Sequence, residues 1–255
     1  MSEVVLCERR GAIAILTMNL ASKRNALSTT LSDALETQLS ELQRDHSCRV
    51  IILTGGAHFC AGGELGSFSD NAMELRNEMR AGHRVVRQII TGRVPVIAAV
   101  EGSAFGAGLS LAAACDFVIA DSDARFGAVY GKVGLMPDWG ALWTLPQRVG
   151  MRRTRQIVMF SEVLGGEQAL RDGLADHLAE QGAVLKVALN WAERLASAAP
   201  GAISATKAFM ARSPMALEAS LDWEADMQAL LLASEDFAEG TQSFFDKRTA
   251  VFNGR

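Results

Sequence analysis

The chain lacks the features that would place it in several large functional classes. Its four cysteines, Cys7, Cys48, Cys60 and Cys115, form no C-x-x-C pair, and no Cys/His cluster has metal-ligand spacing. Neither a metal site nor a dithiol redox centre is therefore expected. Cys60 and Cys115 sit inside apolar runs and read as small buried hydrophobes of a reducing compartment. No apolar run approaches the roughly 18 residues of a membrane span. Glu3 and Glu8 flank the short run Val4-Val5-Leu6, without the basic segment and long apolar stretch of a signal peptide. The cytoplasm is the expected location. Basic blocks are missing too, and the net charge is −4, so neither a nucleic acid nor a membrane surface is an expected partner. There is no dinucleotide-binding fingerprint, and no redox cofactor is implied.

What is present is a core-forming chain. Of its 255 residues 49% are hydrophobic, enough for one domain with a small appendage. Val4 to Cys7 and Ile13 to Met18 read as two strands around Glu8-Arg9-Arg10-Gly11. Leu31, Leu35, Leu39 and Leu42 recur at helical spacing, and residues 72–91 are helical with many charges. Val50 to Leu53, Val96 to Val100 and Phe117 to Ala120 read as buried strands, and Arg125-Phe126 as a further small one. The region Leu109 to Cys115 reads as a buried helix that starts near Ala107. From Gly140 onward the pattern is mostly helical, with Leu185 to Ala198, Ile203 to Ala211 and a last set from Met215 to about Phe252. Pro200-Gly201 and Ser213-Pro214 punctuate these helices. The order predicts an α/β core over residues 1–200 and a helical region over 201–255.

Two glycine-rich turns lie about forty residues apart, Phe59-Cys60-Ala61-Gly62-Gly63-Glu64-Leu65 and Gly102-Ser103-Ala104-Phe105-Gly106-Ala107-Gly108. Each follows a buried strand and leads toward a helix. Such turns leave backbone N–H groups unpaired. Two of them side by side would make a two-donor site for a developing negative oxygen.

These turns, with Lys23-Arg24-Asn25-Ala26-Leu27-Ser28, the run from Gly102 to Asp116, and Gly134-Leu135-Met136-Pro137-Asp138, resemble the enoyl-CoA hydratase/isomerase (crotonase) superfamily. The resemblance runs from about Val4 to the C-terminus. It implies a spiral of β-β-α units with a helical C-terminal trimerisation region, and a homotrimer or a dimer of trimers. It also implies an acyl-CoA substrate, with coenzyme A as part of that substrate rather than a separate cofactor. The enolate oxygen would be held by the N–H groups of Gly63 and Ala107. The CoA moiety would be held by Lys23, Arg24 and Ala26 and by the chain near Ala61, Gly62 and Leu65. Phe245 and Lys247 match a position that touches CoA in some members.

The acid/base residues separate the possible reactions. Hydration in this family commonly uses two glutamates, and at those positions this chain has Ser110 and Tyr130. Neither is a carboxylate, which puts the two-glutamate route in doubt. Asp138 follows Gly134-Leu135-Met136-Pro137 and resembles the acid/base of the phenylacetate-pathway isomerase branch. Taken alone, an Asp after proline also reads as a turn residue. One carboxylate suffices for a double-bond shift, and Leu135, Met136 and Trp139 would raise its pKa by desolvation. The leading expectation is an enoyl-CoA isomerase using Asp138. Alternatives are a hydratase of altered mechanism and a 4-chlorobenzoyl-CoA dehalogenase-like enzyme pairing His83 with Asp138. Glu64, Glu101 and Asp116 read as structural charges.

Overall fold

The protein is described by a computed structural model that covers residues 3–212 and 214–255. Ser213, half of the Ser213-Pro214 break, lies outside the described residues. Six strands form the main sheet: β1 (Val5–Arg10), β2 (Ile13–Met18), β3 (Val50–Thr54), β4 (Val96–Val100), β6 (Phe117–Asp121) and β9 (His177–Ala179), in the order β1-β2-β3-β4-β6-β9. β1 and β2 are an antiparallel hairpin, and every later pairing in this sheet is parallel. A smaller sheet holds β5 (Ser103–Phe105), β7 (Arg125–Gly127) and β8 (Val163–Gly165).

The strand residues form this sheet because both faces are covered. Val50–Thr54 and Val96–Val100 are buried at every position, as apolar runs in a parallel sheet require. Alternation then divides the side chains between two cores. Ile13, Ile15, Val50, Ile52, Ile97, Ala99 and Ile119 face α6 (Val184–Ala196), whose Val184, Ala188 and Ala192 are buried. Ala14, Leu16, Ile51, Leu53, Ala98 and Val118 face the other way, into the larger core. That core also takes the leucine stripe of α1 (Thr29–Arg44), with Leu31, Leu35, Leu39 and Leu42 buried. Ser28 caps this helix, its side chain accepting from the N–H of Leu31 at 3.3 Å. Asn71 caps α2 (Ala72–Ile90) in the same way, at 2.8 Å from the N–H of Met73.

The chain repeats one path. β3 leads to Cys60, which bridges to Ala104 of the small sheet, and then to α2. β4 leads to β5 and then to α3 (Ala107–Ala114), and β6 leads to β7 and then to α4 (Ala141–Met159), which is interrupted at Gly150. This is the β-β-α winding that the resemblance implied. It has no fixed period in sequence because the loops between its parts differ in length.

The remaining helices are α5 (Gly166–Asp172), α7 (Pro200–Met210), α8 (Leu217–Leu232) and α9 (Glu235–Asp246). Three strands went unread in the sequence: β5 inside the second glycine turn, and β8 and β9 inside the region expected to be helical. Each has three residues, too short for alternation to register. The last helical set is two helices that end at Asp246, and the tail beyond is held otherwise. The Asp236 carboxylate accepts from the N–H groups of Asn253 (2.7 Å) and Gly254 (2.9 Å). Buried Lys207 of α7 pairs with Asp116, whose carboxylate also accepts from the N–H of Val96 at 2.7 Å. Among the described residues, no helix is long and apolar enough to cross a membrane.

Candidate active site

Three loops meet at the C-terminal ends of β3 and β4, and backbone hydrogen bonds stitch them together. The N–H of Ala61 donates to the carbonyl of Arg24 (2.9 Å), that of Leu27 to Gly62 (2.7 Å), and that of Glu64 to Leu27 (3.1 Å). The first glycine turn is tied to the second by Phe59 to Glu101 (2.9 Å), Cys60 to Ser103 (2.9 Å) and Phe105 to Cys60 (3.0 Å), N–H to carbonyl in each case. Buried Asn25 locks the first loop. Its side chain accepts from the N–H of Leu20 at 2.8 Å and donates to the carbonyls of Gly55 (2.9 Å) and His58 (2.7 Å).

The glycines let this junction close. Gly62 has φ of +101°, and a Cβ there would lie 2.7 Å from the carbonyl oxygen of Phe105 and 3.7 Å from the nitrogen of Ala107. A side chain would strain the backbone and force the turns apart. With the turns this close, the N–H groups of Gly63 and Ala107 have no backbone acceptor among the described residues. Ala107 is the first residue of α3, so the positive end of that helix adds to the same point.

Gly63 and Ala107 border two small cavities, together with Phe68 and Asp138. An outer chamber of about 90 Å³ is also lined by Ala61, Gly62, Leu65, Tyr130 and Leu135. An inner chamber of about 30 Å³ lies against the start of α1, with Glu78 and Met79 of α2 on its wall. The ring of Phe68 stands at the junction, and a Cβ on Gly63 would be 3.0 Å from its Cζ.

Asp138 is the carboxylate common to both chambers. Burial pushes its pKa up to about 6, against partial relief from its own backbone N–H and from the phenol of Tyr130. One carboxylate oxygen, Oδ1, is buried without a hydrogen-bond partner. Leu135 shares the outer chamber with Asp138, and Trp139 shares the inner one. Trp139 is 4% exposed, but Leu135 and Met136 are 48% and 69% exposed. Trp139 fits because Gly82 of α2 has no side chain. A Cβ there would lie 2.5 Å from the indole Cε2.

Ser110 and Tyr130, at the two expected glutamate positions, are both buried and hydrogen-bond each other. Burial, and then the adjacent Asp138 charge, raise the pKa of Tyr130 above its ordinary value. The phenol therefore stays protonated near neutral pH and acts as a donor rather than a base.

Other expected site residues are placed differently. Lys23 is ion-paired with Glu64, which gives Glu64 the structural part expected of it. Arg24 is exposed with φ of +49°, and Ala26 is half-buried. Neither they nor Lys23 border the two chambers. His83 borders neither chamber, and its pKa is lowered by burial and by Arg87. Phe68 and Glu78 were missed. Nothing in the sequence marks Phe68. Glu78 carried a signal, since it precedes Ala81, Gly82 and Val85 by three, four and seven residues and so shares their buried face. A larger cavity of about 730 Å³, lined by Phe237, Phe244 and Phe245 among others, lies in the C-terminal helical region.

Comparison with known proteins agrees with this geometry. A family profile described as enoyl-CoA hydratase/isomerase matches residues 8–255. A protein named probable enoyl-CoA hydratase from Rhodobacter capsulatus is 37% identical over 249 residues, 95% of each chain. The 1,2-epoxyphenylacetyl-CoA isomerase of Escherichia coli is 31% identical over the full length of both. Among solved structures, an enoyl-CoA hydratase from Bacillus anthracis superposes with a TM-score of 0.95 at 26% identity, covering 99% of this chain and 100% of that one.

The buried Asp138 charge has a consequence for stability. The folded chain holds this proton up to about pH 6, whereas an unfolded carboxyl releases it near 3.8. Ionisation is therefore penalised only in the folded state. The penalty is absent below about pH 4 and complete above about pH 6, where it reaches roughly 2–3 kcal/mol. The Asp138→Asn variant is expected to melt roughly 5 °C above the wild type near pH 7.5, with the gap closing toward pH 4. Paired thermal melts at the two pH values check this. A variant that melts no higher at pH 7.5 would contradict the buried charge.

Proposed function

The chain belongs to the enoyl-CoA hydratase/isomerase family, and from that premise we propose that it shifts a carbon–carbon double bond along an acyl-CoA thioester, with Asp138 carrying the proton. The observation that carries this reading is the composition of the outer chamber. It has two free backbone donors and a single carboxylate, whose raised pKa suits it to take and return a proton near neutrality.

In this reading the ionised Asp138 removes a proton from C2 of a 3-enoyl thioester. The electron pair moves onto the thioester oxygen, where the N–H groups of Gly63 and Ala107 receive the charge; each such donor contributes about 2.7–4 kcal/mol in comparable sites. The protonated Asp138 then returns the proton to C4, and the double bond ends in conjugation with the thioester. Tyr130, held protonated against Ser110, stabilises the carboxylate before the first transfer and after the second. The CoA moiety would lie along the loop of Lys23, Arg24 and Ala26 and the backbone of Ala61, Gly62 and Leu65.

Hydration is the second reading, favoured by the hydratase names among the relatives. It needs a further base for water, and Ser110 and Tyr130 do not supply one. Nothing in the position of His83 supports pairing it with Asp138 for dehalogenation. We also propose assembly through the helical end. Phe237, Phe244 and Phe245 are 48%, 78% and 72% exposed, and clustered exposed aromatics mark contact surfaces.

Three measurements test these proposals. A 3-enoyl-CoA incubated with the enzyme should gain conjugated-thioester absorbance, and Asp138→Asn should lower that rate about 10²–10⁴-fold. An absent rise, or a variant of normal rate, would reject the isomerase reading. The acid limb of kcat/KM should fall near pH 6, because the base must be ionised. Tyr130→Phe removes a donor that holds the Asp138 pKa down, so its limb should move to higher pH. An unmoved limb would deny Tyr130 that role. Sedimentation should give a trimer or a dimer of trimers, and the mass of a single chain would overturn the assembly.

A further inference from the structure

The inner chamber is an unusual place to end a fatty acyl chain. Beside the apolar Leu27, Phe68, Met79 and Trp139, its wall carries the hydroxyls of Ser28, Thr29, Ser32 and Ser67 and the carboxylate of Glu78. The Ser28 hydroxyl is occupied as the cap of α1, and that of Ser67 bonds the carbonyl of Glu64 at 2.8 Å. Ser32 is 6% exposed, yet among the described residues its hydroxyl has no hydrogen-bond partner. Glu78 forms no ion pair or side-chain hydrogen bond among them either, although α2 is rich in arginine. An alkyl end placed here would desolvate an unpaired hydroxyl and an unpaired carboxylate, which is costly. A second carboxylate would meet Glu78 as a like charge.

Size points the same way. The chamber's 30 Å³ has room for one or two waters or a small terminal group. Gly63, Phe68, Ala107 and Asp138 border both chambers, so an acyl group bound in the outer one can extend its end into the inner one.

We propose that the inner chamber receives the far end of the acyl group, and that this end carries a hydrogen-bond donor, an ammonium or a hydroxyl, accepted by Glu78 and oriented by Ser32. The inference rests on the acyl-CoA reading above and adds the substrate class. Glu78 borders the inner chamber and not the outer one, where only Asp138 offers a carboxylate. It acts on specificity rather than on the proton transfer.

Calorimetric titration of the intact protein with four saturated thioesters tests it: hexanoyl-, 6-hydroxyhexanoyl-, 6-aminohexanoyl- and adipyl-CoA. None can isomerise or be hydrated, so binding is read apart from the reaction. The two donor-ended ligands should bind about tenfold or more tightly than hexanoyl- and adipyl-CoA, the worth of one charge-assisted hydrogen bond. Glu78→Gln, which keeps the shape of the wall, should abolish the preference for the ammonium and bring adipyl-CoA up toward hexanoyl-CoA. Ser32→Ala should weaken the hydroxyl ligand most. Equal or tighter binding of hexanoyl- or adipyl-CoA, or an unchanged order in Glu78→Gln, overturns this inference and leaves the acyl-CoA reading standing. Failure of all four ligands to bind overturns both.

Discussion

The junction of the two glycine turns is the constraint on which the site depends. Cys60 exchanges hydrogen bonds with Ser103 and Phe105 as though the two loops were strands of one sheet. That pairing holds only because Gly62 and Gly108 have no side chains to meet the carbonyls of Phe105 and Cys60. The same closeness leaves the N–H groups of Gly63 and Ala107 with no backbone acceptor to satisfy them. In the proposed reaction, these two donors would serve an oxygen that develops charge, at no reorganisation cost when it does.

Asp138 is governed by opposing influences. Burial beside Trp139 disfavours its charge, and the backbone and Tyr130 favour it, with burial dominant. The carboxyl therefore lies near the pH at which both its forms are available. The fold supports a charge it would be more stable without, as sites tuned for function often do. Gly82 belongs to this balance although it is far in sequence, because the space above it admits the indole that dries the carboxylate.

Much of the architecture was legible from residue pattern. The runs Val50 to Leu53 and Val96 to Val100 are strands because nothing but a doubly covered sheet suits them. The leucine stripe of α1 is buried as its spacing required. The short strands β5, β8 and β9 were not legible, since three residues cannot display a period and their pairing is chosen by distant partners. The same limit applies to the site. Asp138 stood out by its motif, whereas Glu78 was hidden among charges on a helix that reads as solvated unless each is checked against the apolar face.

Sequence alone determined the two glycine-rich turns, each after a buried strand, and the resemblance it carries put Ser110 and Tyr130 where glutamates are common and singled out Asp138 as the carboxylate of its motif. These are matters of residue identity and local backbone freedom. Tertiary structure decided what surrounds that carboxylate. It buried Trp139 while leaving Leu135 and Met136 partly exposed, kept His83 off both chamber walls, tied Lys23 to Glu64, and put Phe68 on the wall of both chambers. Such outcomes depend on which distant segments pack together, and a pKa or a cavity wall is the sum of those contacts rather than a property of any one stretch of chain.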